Sequence, residues 1–504
     1  MRIDSGAPSL DATDGRVAMV RMTGELTTKS RRTRSRFQRV LARNIRAALA
    51  ASAPGCELRE GWSRLFVRVP EGGSIAPLSR VFGISSYSIL DGACEADLDR
   101  IVDCGRSLYA EVVRGRTYGI RVRRTGHHRF RSRDVAVRLG AALNEEAAVD
   151  LDDPEVGIQV EVRGERAYLF SSRARGAGGL PLGVEGRAVA LISGGFDSAA
   201  AAWMMLRRGV ELDYVFCNLG GVAYRRMTLE VAVVLADRWS HGTRPRAHVV
   251  EFGPVVEELR DRVPGPLLQV ALKRQMYRTA NIVAEQVGAQ AVVTGESVGQ
   301  VSSQTLANLR AIDGASALPV LRPLVGMEKN DIVALTRRIG TAALSARVRE
   351  YCSIGDGRTA TAVRPEAVAD AEAGLDPDLL PRLAASAEIV DLRAVDLAEL
   401  AESSMFVDEV EEEALRVDMR PEETRRARPW PRAVTRSYDE LATGFKDLDR
   451  GRPIVLVCTE GLLSAQIAER MQEAGLEAYS LRGGDRGLRR LLAESVATCA
   501  GEDG

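Results

Sequence analysis

The sequence contains few cysteines and no paired cysteine motif. Seven cysteines are spread over 504 residues, and none has the CxxC or Cys/His spacing of a zinc ligand set. The number is odd, and the spacing does not suggest a disulfide framework. These features argue against a zinc ribbon and against a disulfide-stabilised scaffold. A functional cysteine therefore has to be identified from its surroundings.

Long apolar runs and a net charge are absent as well. No stretch reaches the ~18 to 20 consecutive apolar residues of a membrane span. The N-terminus has Asp4, Asp11 and Asp14 where a signal peptide has an apolar core. We therefore expect a cytoplasmic protein with no membrane contact. The 69 basic residues equal the 69 acidic residues, so only the local distribution of charge is informative.

Length and composition favour several folded domains. At roughly 150 residues per domain, a chain of 504 residues contains about three or four of them. With 45% apolar and 27% charged residues, the chain has the composition of an ordinary soluble protein. The composition argues against global disorder.

Basic residues accumulate in two segments of the N-terminal third. Between Leu26 and Cys56 there is no acidic residue, and apolar positions recur at helical spacing, which predicts a basic amphipathic helix. Residues 118–133 alternate apolar and basic side chains as a half-buried strand does. Both segments predict a polyanion contact, with a merely solvated surface as the alternative. The residues expected to contact the polyanion are Lys29, Arg31, Arg34, Arg36, Arg121, Arg123, Arg124 and Arg129.

The most specific motif is AVALISGGFDS at residues 188–198. An apolar strand ends in a glycine turn, and an alanine-rich helix follows. The glycines let the backbone approach an anion closely, and the serines add hydroxyl donors. Asp197 would repel a bare phosphate, so we expect it to orient Mg²⁺ or backbone amides around a triphosphate. The pattern is neither GxxxxGK[ST] nor GxGxxG, which argues against ordinary kinases and dinucleotide enzymes.

Two further motifs are expected at the same sheet. Apolar strands alternate with helical patterns after residue 187, which predicts a parallel, doubly wound sheet. TGESVGQVSSQT, at residues 294–305, follows the strand at 291–293 and so leaves the carboxyl edge, where ligands of such folds bind. In KRQMYR, Lys273 and Arg278 could neutralise phosphate charge. Alone, each would more often be a surface charge.

Two cysteines are candidates for sulfur chemistry. Cys458 stands between the apolar strand IVLV and a helix, where backbone amides and the helix dipole lower the pKa of a thiol. The alternative is a buried thiol at the end of a strand. Cys352, in REYCSIG, is more isolated, and the sequence around it suits a structural thiol equally well.

Together these motifs resemble those of the tRNA 4-thiouridine synthases, the ThiI family of tRNA sulfurtransferases, in the long form with a C-terminal rhodanese domain. GELTTKSRRTRSRFQRVLARNIR resembles the ferredoxin-like region of the family, and VFGISSYS with IRVRRTGHHRF resembles its THUMP RNA-binding domain. SGGFDS, KRQMYR, TGESVGQVSSQT and LRPLVGMEKNDI resemble its PP-loop pyrophosphatase domain. IVLVCTEGLLS resembles a rhodanese loop, although Thr459 and Glu460 stand where such loops often hold a cation.

The resemblance implies a multidomain chain of α/β and α+β folds. We expect a ferredoxin-like region at 1–60, a THUMP domain at 61–170, and a rhodanese-like α/β domain at 410–504. Between them we expect a doubly wound, parallel-sheet PP-loop domain of the adenine nucleotide alpha hydrolase type at 176–365. An acidic connector at 366–409 would let the rhodanese-like domain move.

The resemblance also implies the reaction. ATP, with Mg²⁺, would adenylate O4 of uridine 8 in tRNA, releasing pyrophosphate. A persulfide on Cys458, loaded by a cysteine desulfurase, would then supply sulfur for 4-thiouridine, and Cys352 would form a disulfide with Cys458. A sulfur-carrier protein of thiamine thiazole synthesis is a further expected partner, and a homodimer is an expected assembly.

Carried over by position, the family implies a set of site residues in this chain. Catalysis is assigned to Cys458, Cys352 and Asp197. ATP binding is assigned to Leu191, Ile192, Ser193, Gly194, Gly195, Asp197, Ser198, Lys273, Gly295 and Gln304.

Two alternatives stay open at this point. The first is an enzyme that adenylates a sulfur-carrier protein or a small amide. The second is an RNA-binding protein with a vestigial nucleotide site and a redox-sensing Cys458.

Overall fold

The structure is a computed structural model that describes residues 15–61, 64–143, 147–219, 221–348, 359–395, 405–445, 447–449, 451–459 and 461–500. The chain divides into two compact units. The first consists of residues up to 186 with 205–211 and 238–243, and the second holds the remainder. Among the described helices, none is long and apolar enough to cross a bilayer.

The N-terminal sheet is antiparallel and has the strand order β10-β4-β1-β3-β2. Its elements are β1 (Arg16–Met22), α1 (Gly24–Thr27), α2 (Arg31–Leu49), β2 (Glu57–Glu60), β3 (Arg64–Val69), β4 (Ile84–Ile89) and the later β10 (Ala174–Arg175). The predicted basic helix is confirmed as α2. Its apolar face, with Phe37, Leu41 and Ile45, is buried in the core of this sheet, while most of its arginines stay exposed.

The predicted boundary at residue 60 is wrong. Strands β3 and β4 both pair with β1, with Ala18 opposite Val67 on one side and Ile89 on the other. The segment VFGISSYS, assigned to the second domain from the sequence, therefore belongs to the N-terminal sheet. The physical reason is that β1 needs a partner on each edge to satisfy its backbone groups.

The second sheet has the order β5-β9-β8-β6-β7, in which β6 runs parallel to β7 and β8. Its elements are β5 (Gly92–Glu95), α3 (Leu98–Val113), β6 (Thr117–Thr125), α4 (Ser132–Leu143), β7 (Ala148–Val149), β8 (Val156–Arg163) and β9 (Arg166–Phe170). The strand predicted within residues 118–133 is confirmed as β6, which ends at Thr125, and residues 132–143 form α4. Helix α3 begins with a side-chain cap, because Asp97 accepts hydrogen bonds from the N–H groups of Asp99 and Arg100.

The third sheet has the order β15-β14-β11-β12-β13-β16. It confirms the predicted doubly wound parallel sheet. The pairs β11–β14, β12–β13 and β14–β15 are parallel, and β16 runs antiparallel to β13. The elements are β11 (Arg187–Leu191), α5 (Phe196–Arg207), β12 (Glu211–Asn218), α6 (Gly221–Trp239), β13 (Arg246–Glu251), α7 (Gly253–Arg262), α8 (Leu268–Val287), β14 (Val292–Val293), α9 (Leu306–Asp313), β15 (Val320–Leu321), α10 (Lys329–Ile339), α11 (Ala342–Ser345), α12 (Pro365–Glu372), α13 (Leu379–Ala385) and β16 (Glu388–Asp391).

The acidic segment after residue 365 is not a connector over its first part, so this prediction is wrong. Helices α12 and α13 pack against α8, and β16 extends the third sheet by pairing with β13. Glu372 is buried and accepts hydrogen bonds from Arg274 and Arg278 of α8. Residues 365–391 are thus part of the nucleotide-loop domain, while residues 396–404 lie outside the described residues.

The C-terminal sheet is parallel throughout, with the order β17-β21-β20-β18-β19. Its elements are β17 (Phe406–Val407), β18 (Leu415–Asp418), α14 (Glu422–Ala427), β19 (Val434–Thr435), α15 (Tyr438–Thr443), β20 (Ile454–Val457), α16 (Leu462–Glu473), β21 (Ala478–Leu481) and α17 (Asp485–Ala500). The predicted strand at 454–457 is confirmed as β20, the central and fully buried strand. Ligands of open parallel sheets bind at the carboxyl ends of the strands, and Cys458 immediately follows β20.

Candidate ATP and sulfur-transfer sites

The glycine loop joins β11 to α5 as the sequence predicts. Gly194 has φ +75°, a backbone conformation that strains other residues. The loop is closed by its own serines: Ser198 Oγ accepts from the Ser193 N–H at 3.3 Å and donates to the Gly195 carbonyl at 3.2 Å. Thr228 of α6 donates to the Ser193 carbonyl. A turn of this kind at a helix N-terminus is preformed for an anion.

Gly295 supports the loop from the neighbouring strand end. A Cβ built at this position would lie 2.6 Å from the carbonyl carbon of Asp197 and 2.7 Å from the nitrogen of Ser198. Real Cβ atoms do not approach backbone so closely, so any side chain here would push the first turn of α5 away. Glycine is therefore required at position 295 so that the chain can pack against the first turn of α5, which the sequence alone did not reveal.

Asp197 forms an ion pair at the mouth of this loop. The ammonium of Lys329, the first residue of α10, lies 2.8 and 2.9 Å from the two carboxylate oxygens. Gln300 also donates to Asp197, at 2.7 Å. Lys329 belongs to a motif quoted in the sequence analysis, but no role was assigned to it. The two residues are 132 positions apart, and no local pattern links them.

A second charged cluster surrounds Glu296, which is 6% exposed. Its carboxylate accepts from Lys273 at 3.0 Å, from the hydroxyl of Tyr277 at 2.5 Å and from Arg322 at 2.9 Å. Burial raises the pKa of Glu296, but Lys273, Tyr277 and Arg322 together hold it below its usual value. Burial and the adjacent Glu296 carboxylate raise the pKa of Tyr277 well above its usual range. The cluster therefore holds an ionised acid between two cations at neutral pH.

One cavity collects most of the predicted nucleotide residues. Eight of the ten line it: Leu191, Ile192, Ser193, Asp197, Ser198, Lys273, Gly295 and Gln304. The loop residues Gly194 and Gly195 complete the turn without being lining residues. Sequence reasoning missed the opposite wall, formed by Val215, Cys217, Leu219, Tyr224, Leu272 and Met276. Most of those residues are buried, whereas Leu219 and Met276 are half-buried. In sequence they look like ordinary core, so only the fold could reveal that they line a cavity.

The predicted phosphate role of Arg278 is wrong. Its guanidinium lies 2.7 Å from the buried Glu372 carboxylate and is not among the residues that line the cavity. Lys273, one turn earlier on α8, does line it. The two residues are five positions apart, so they project from different faces of the helix.

Cys458 lies in a loop that presents hydrogen-bond donors to its sulfur. Sγ accepts from the N–H of Gly461 at 3.1 Å, from the N–H of Ser464 at 3.4 Å and from the hydroxyl of Ser464 at 3.2 Å. The Ser464 hydroxyl therefore contributes a hydrogen bond in addition to the backbone amides that the sequence predicts. Glu460 lies outside the described residues, and Thr459 is exposed.

A buried ion-pair cluster holds this loop. The fully buried Arg420 binds Asp418 and Asp485, each at 2.6 Å. The N–H of Asp485 donates to the Thr459 carbonyl at 3.1 Å. Gly484 is required beside it, since a Cβ there would lie 2.4 Å from the Cys458 carbonyl oxygen. The cluster therefore fixes the position of Cys458 at the end of β20.

Cys352 lies outside the described residues, but the chain on both sides of it is described. Val348 is buried and approaches Gly194, since its Cγ2 would be 3.1 Å from a Cβ built there. After the gap, the Ala360 N–H donates to the Pro266 carbonyl, and the Thr361 carbonyl accepts from Thr305, which follows Gln304. Val348 therefore lies beside the glycine loop, and Thr361 lies beside the residue that follows Gln304.

The predicted RNA-binding residues occupy two surfaces of the first unit. Lys29 and Arg31 are exposed around the start of α2, and Arg34 is half-buried. Arg36 is exposed but also donates to the Val184 carbonyl, which gives it a structural contact. On β6, Arg121 and Arg123 are exposed on the same face, whereas Arg124 is half-buried and donates to the Gly126 carbonyl. Arg129 is exposed.

Comparison with known proteins follows this geometry. Three family models match the chain: the ThiI ferredoxin-like domain at residues 17–88, the THUMP domain at 95–172 and the thiamine biosynthesis protein ThiI at 183–376. The tRNA sulfurtransferase of Pyrobaculum aerophilum is 37% identical over 470 residues, which cover 92% of this chain and 96% of the relative. This chain belongs to the tRNA sulfurtransferase family.

Further comparisons agree with this membership. The tRNA sulfurtransferase of Erwinia tasmaniensis is 35% identical, covering 91% of this chain and 98% of that protein. Among solved structures, a 4-thiouridine synthetase in complex with RNA and with bound ATP matches with a TM-score of 0.64 at 29% identity. That match covers 75% of this tRNA sulfurtransferase family member and 99% of the other chain. The ferredoxin-like and THUMP matches also agree with the corrected boundary, because the first extends to residue 88.

Proposed function

We propose that this enzyme converts uridine 8 of tRNA to 4-thiouridine, with adenylation of O4 at the SGGFDS loop and sulfur carried by Cys458. ATP-dependent sulfur transfer to tRNA is the activity of its family. The observation that carries the finer proposal is that one chain holds both an anion-binding loop with a paired Asp197–Lys329 and a donor-lined cysteine loop. A protein that only binds RNA has no use for this combination.

The cavity suits ATP by its chemistry. Its apolar wall, with Val215, Leu219 and Met276, offers the dry surface that a purine ring requires. The glycine loop would hold phosphates. Lys273, which lines the cavity, and Lys329, which bonds to Asp197, would supply positive charge. When uridine O4 attacks the α-phosphorus, the bond to pyrophosphate breaks and the negative charge that develops is stabilised by these cations. AMP then becomes the leaving group at C4.

Mg²⁺ belongs to the proposal as a companion of the triphosphate. Within the described residues, no three His, Cys, Asp or Glu side chains come together as a protein-built metal site. This fits Mg²⁺, which is commonly held by one or two carboxylates, substrate phosphates and water. Asp197 is the carboxylate at the loop. A bound Mg²⁺ would neutralise phosphate charge.

The sulfur step uses the C-terminal sheet, which we propose to be a rhodanese-like domain. The terminal sulfur of the Cys458 persulfide attacks C4, and AMP leaves. The transferred sulfur is then bonded to both C4 and Sγ of Cys458. The Cys352 thiolate attacks this Sγ, the sulfur–sulfur bond breaks to release the thiolated base, and a disulfide forms between the two cysteines. Cys352 is the fourth residue after Val348 in the sequence. Proximity of Val348 to Gly194 supports the assignment of Cys352.

The partners follow from this chemistry. A cysteine desulfurase is the proposed source of the persulfide sulfur, and a reductant must open the disulfide before the next turnover. The sulfur-carrier protein of thiazole synthesis is a proposed second acceptor, since a C-terminal carboxylate can also be adenylated. A homodimer and a cytoplasmic location complete the proposal.

Reversing the charge of two strand arginines should weaken tRNA binding. Arg121→Glu with Arg123→Glu places two acids on the exposed face of β6, where we propose phosphate contacts. We expect the dissociation constant for unmodified tRNA to rise at least about tenfold, with a shallower dependence on salt. Fluorescence anisotropy at several salt concentrations measures both. Arg426→Glu with Arg432→Glu, two exposed arginines of the C-terminal sheet region, is the matched control. An equal loss in the control, or no loss in the strand variant, would remove β6 from the RNA interface.

Cys458→Ser tests the sulfur assignment. Purified enzyme is incubated with ATP, a cysteine desulfurase, cysteine and unmodified tRNA, and the tRNA is run on a mercury-affinity gel. The variant should give no retarded tRNA but should still adenylate tRNA and release pyrophosphate from ATP, because the nucleotide cavity does not include Cys458. Cys104→Ser, a half-buried thiol beside the second sheet, is the control and should thiolate normally. Retarded tRNA from Cys458→Ser would show that another group carries the sulfur.

A further inference from the structure

Behind Cys458, two buried serines connect its sulfur to a backbone carbonyl. Ser464 and Ser480 are both fully buried, and their hydroxyl oxygens are 2.8 Å apart. Ser464 Oγ lies 3.2 Å from Cys458 Sγ, and Ser480 Oγ lies 3.0 Å from the Gly461 carbonyl oxygen. Sulfur, two hydroxyls and one carbonyl thus form an unbranched chain of three hydrogen bonds.

The number of hydrogen atoms decides the direction of this chain. A thiol at Cys458 and two hydroxyls supply three hydrogens for three contacts. The thiol then donates to Ser464, Ser464 donates to Ser480, and Ser480 donates to the Gly461 carbonyl. A carbonyl oxygen cannot donate, so this is the one direction in which all three contacts are bonded.

Loss of the sulfur proton reverses the chain. A thiolate only accepts, so Ser464 now donates to Sγ and Ser480 donates to Ser464. The Gly461 carbonyl loses the Ser480 bond but keeps the N–H of Ala465, which lies 3.3 Å away. No buried group is left without a partner in either state, which is the condition for a reversal at low cost. The thiolate then has three donors, because the N–H groups of Gly461 and Ser464 also point at it.

We propose that Ser480 is a positioning residue that orients the Ser464 hydroxyl toward the anionic sulfur of Cys458 and so prepares this cysteine to accept sulfur. The inference rests on the proposed function of Cys458. In the loading step, Cys458–SH reacts with a donor persulfide. A bond forms between Sγ and the terminal sulfur, the donor sulfur–sulfur bond breaks, and the donor cysteine takes the proton. The same donors stabilise Cys458 as the leaving thiolate when its disulfide is reduced.

The charged side chains near Cys458 do not substitute for this chain of hydrogen bonds. The charged side chains near the loop are Asp418 at the end of β18, Arg420 two residues later and Asp485 at the start of α17. They bond to one another, and Asp485 also accepts from Arg428 and Arg489. Asp485 meets the loop through its backbone N–H. Hydrogen bonds to charged acceptors are about twice as strong as neutral ones, so loss of an oriented hydroxyl has a measurable effect.

The test measures alkylation of Cys458 by iodoacetamide in the full chain, followed by mass spectrometry of the peptide that contains it. At pH 7 we expect Ser464→Ala to react about tenfold more slowly than the unmodified chain, and Ser480→Ala about threefold more slowly. Ser480→Thr, which keeps the hydroxyl, should restore the rate. Thr435→Ala, an exposed hydroxyl in the same sheet, is the control.

Each outcome decides the matter. Equal alkylation rates for Ser480→Ala and the unmodified chain at pH 7 would overturn the proposal that Ser480 orients Ser464. A deficit that Ser480→Thr fails to restore also overturns it, because that pattern indicates altered packing around the sulfur. Thiolation of tRNA by the Cys458→Ser chain would refute the proposed function while leaving the alkylation result intact. The two failures are therefore distinguishable.

Discussion

Asp197→Ala should lower the rate of tRNA-dependent pyrophosphate release by at least about 100-fold. The Asp197 carboxylate holds the Lys329 ammonium with two contacts at the mouth of the glycine loop. Without it, Lys329 loses the geometry that places its charge where phosphate charge develops. We propose that Asp197 contacts the phosphates through Mg²⁺, so we expect the fall in kcat with no rise in the dissociation constant for ATP measured without Mg²⁺. A pyrophosphate-coupled assay and equilibrium ATP binding measure the two quantities.

The Asp197–Lys329 pair should behave as one unit. Lys329→Met is expected to cost about as much as Asp197→Ala, and the double variant no more than either single change. Asp331→Asn is the matched control, since it removes an exposed acid two positions from Lys329 on the same helix. Unchanged pyrophosphate release in Asp197→Ala would remove Asp197 from the site, and additive losses would show that the ion pair has no joint role.

The parts of the site that are contiguous in the chain could be predicted from sequence. The loop at 193–198 needs only a strand, two glycines and a helix, all of which are local. Cys458 is similar, because strand β20 and helix α16 flank it directly. Lys329 could not be found this way. Its role depends on α10 beginning beside Asp197, and sequence spacing says nothing about that contact.

The predicted domain limits failed for a related reason. β1 pairs with strands about 45 and 70 residues further along the chain, and the alternation of a strand does not specify its partner. The acidic segment was predicted to be a connector because composition does not distinguish buried acids from exposed ones. Glu366 and Asp370 are exposed as expected, whereas Glu372 is buried against α8. An acid whose partners lie 94 to 98 residues earlier looks like surface charge in sequence.

Glu372→Ala should lower the free energy of unfolding of the nucleotide-loop domain by about 3–5 kcal/mol. Its carboxylate accepts two bonds from Arg274 Nε, at 3.0 and 2.9 Å, and one each from Gln275 and Arg278. The Arg274 side chain is 5% exposed, so it would remain charged and buried without its acid. Denaturant unfolding followed by near-UV circular dichroism measures the loss.

Two further variants separate the ion pair from its position in the chain. Asp370→Ala, an exposed acid on the same helix, should change the free energy of unfolding by less than about 0.5 kcal/mol. Arg274→Met with Glu372→Leu should recover most of the loss, because replacing both buried charges by apolar side chains leaves neither uncompensated. If Glu372→Ala were as mild as Asp370→Ala, α12 would not be integral to the domain, and the segment would be the connector that its composition suggests.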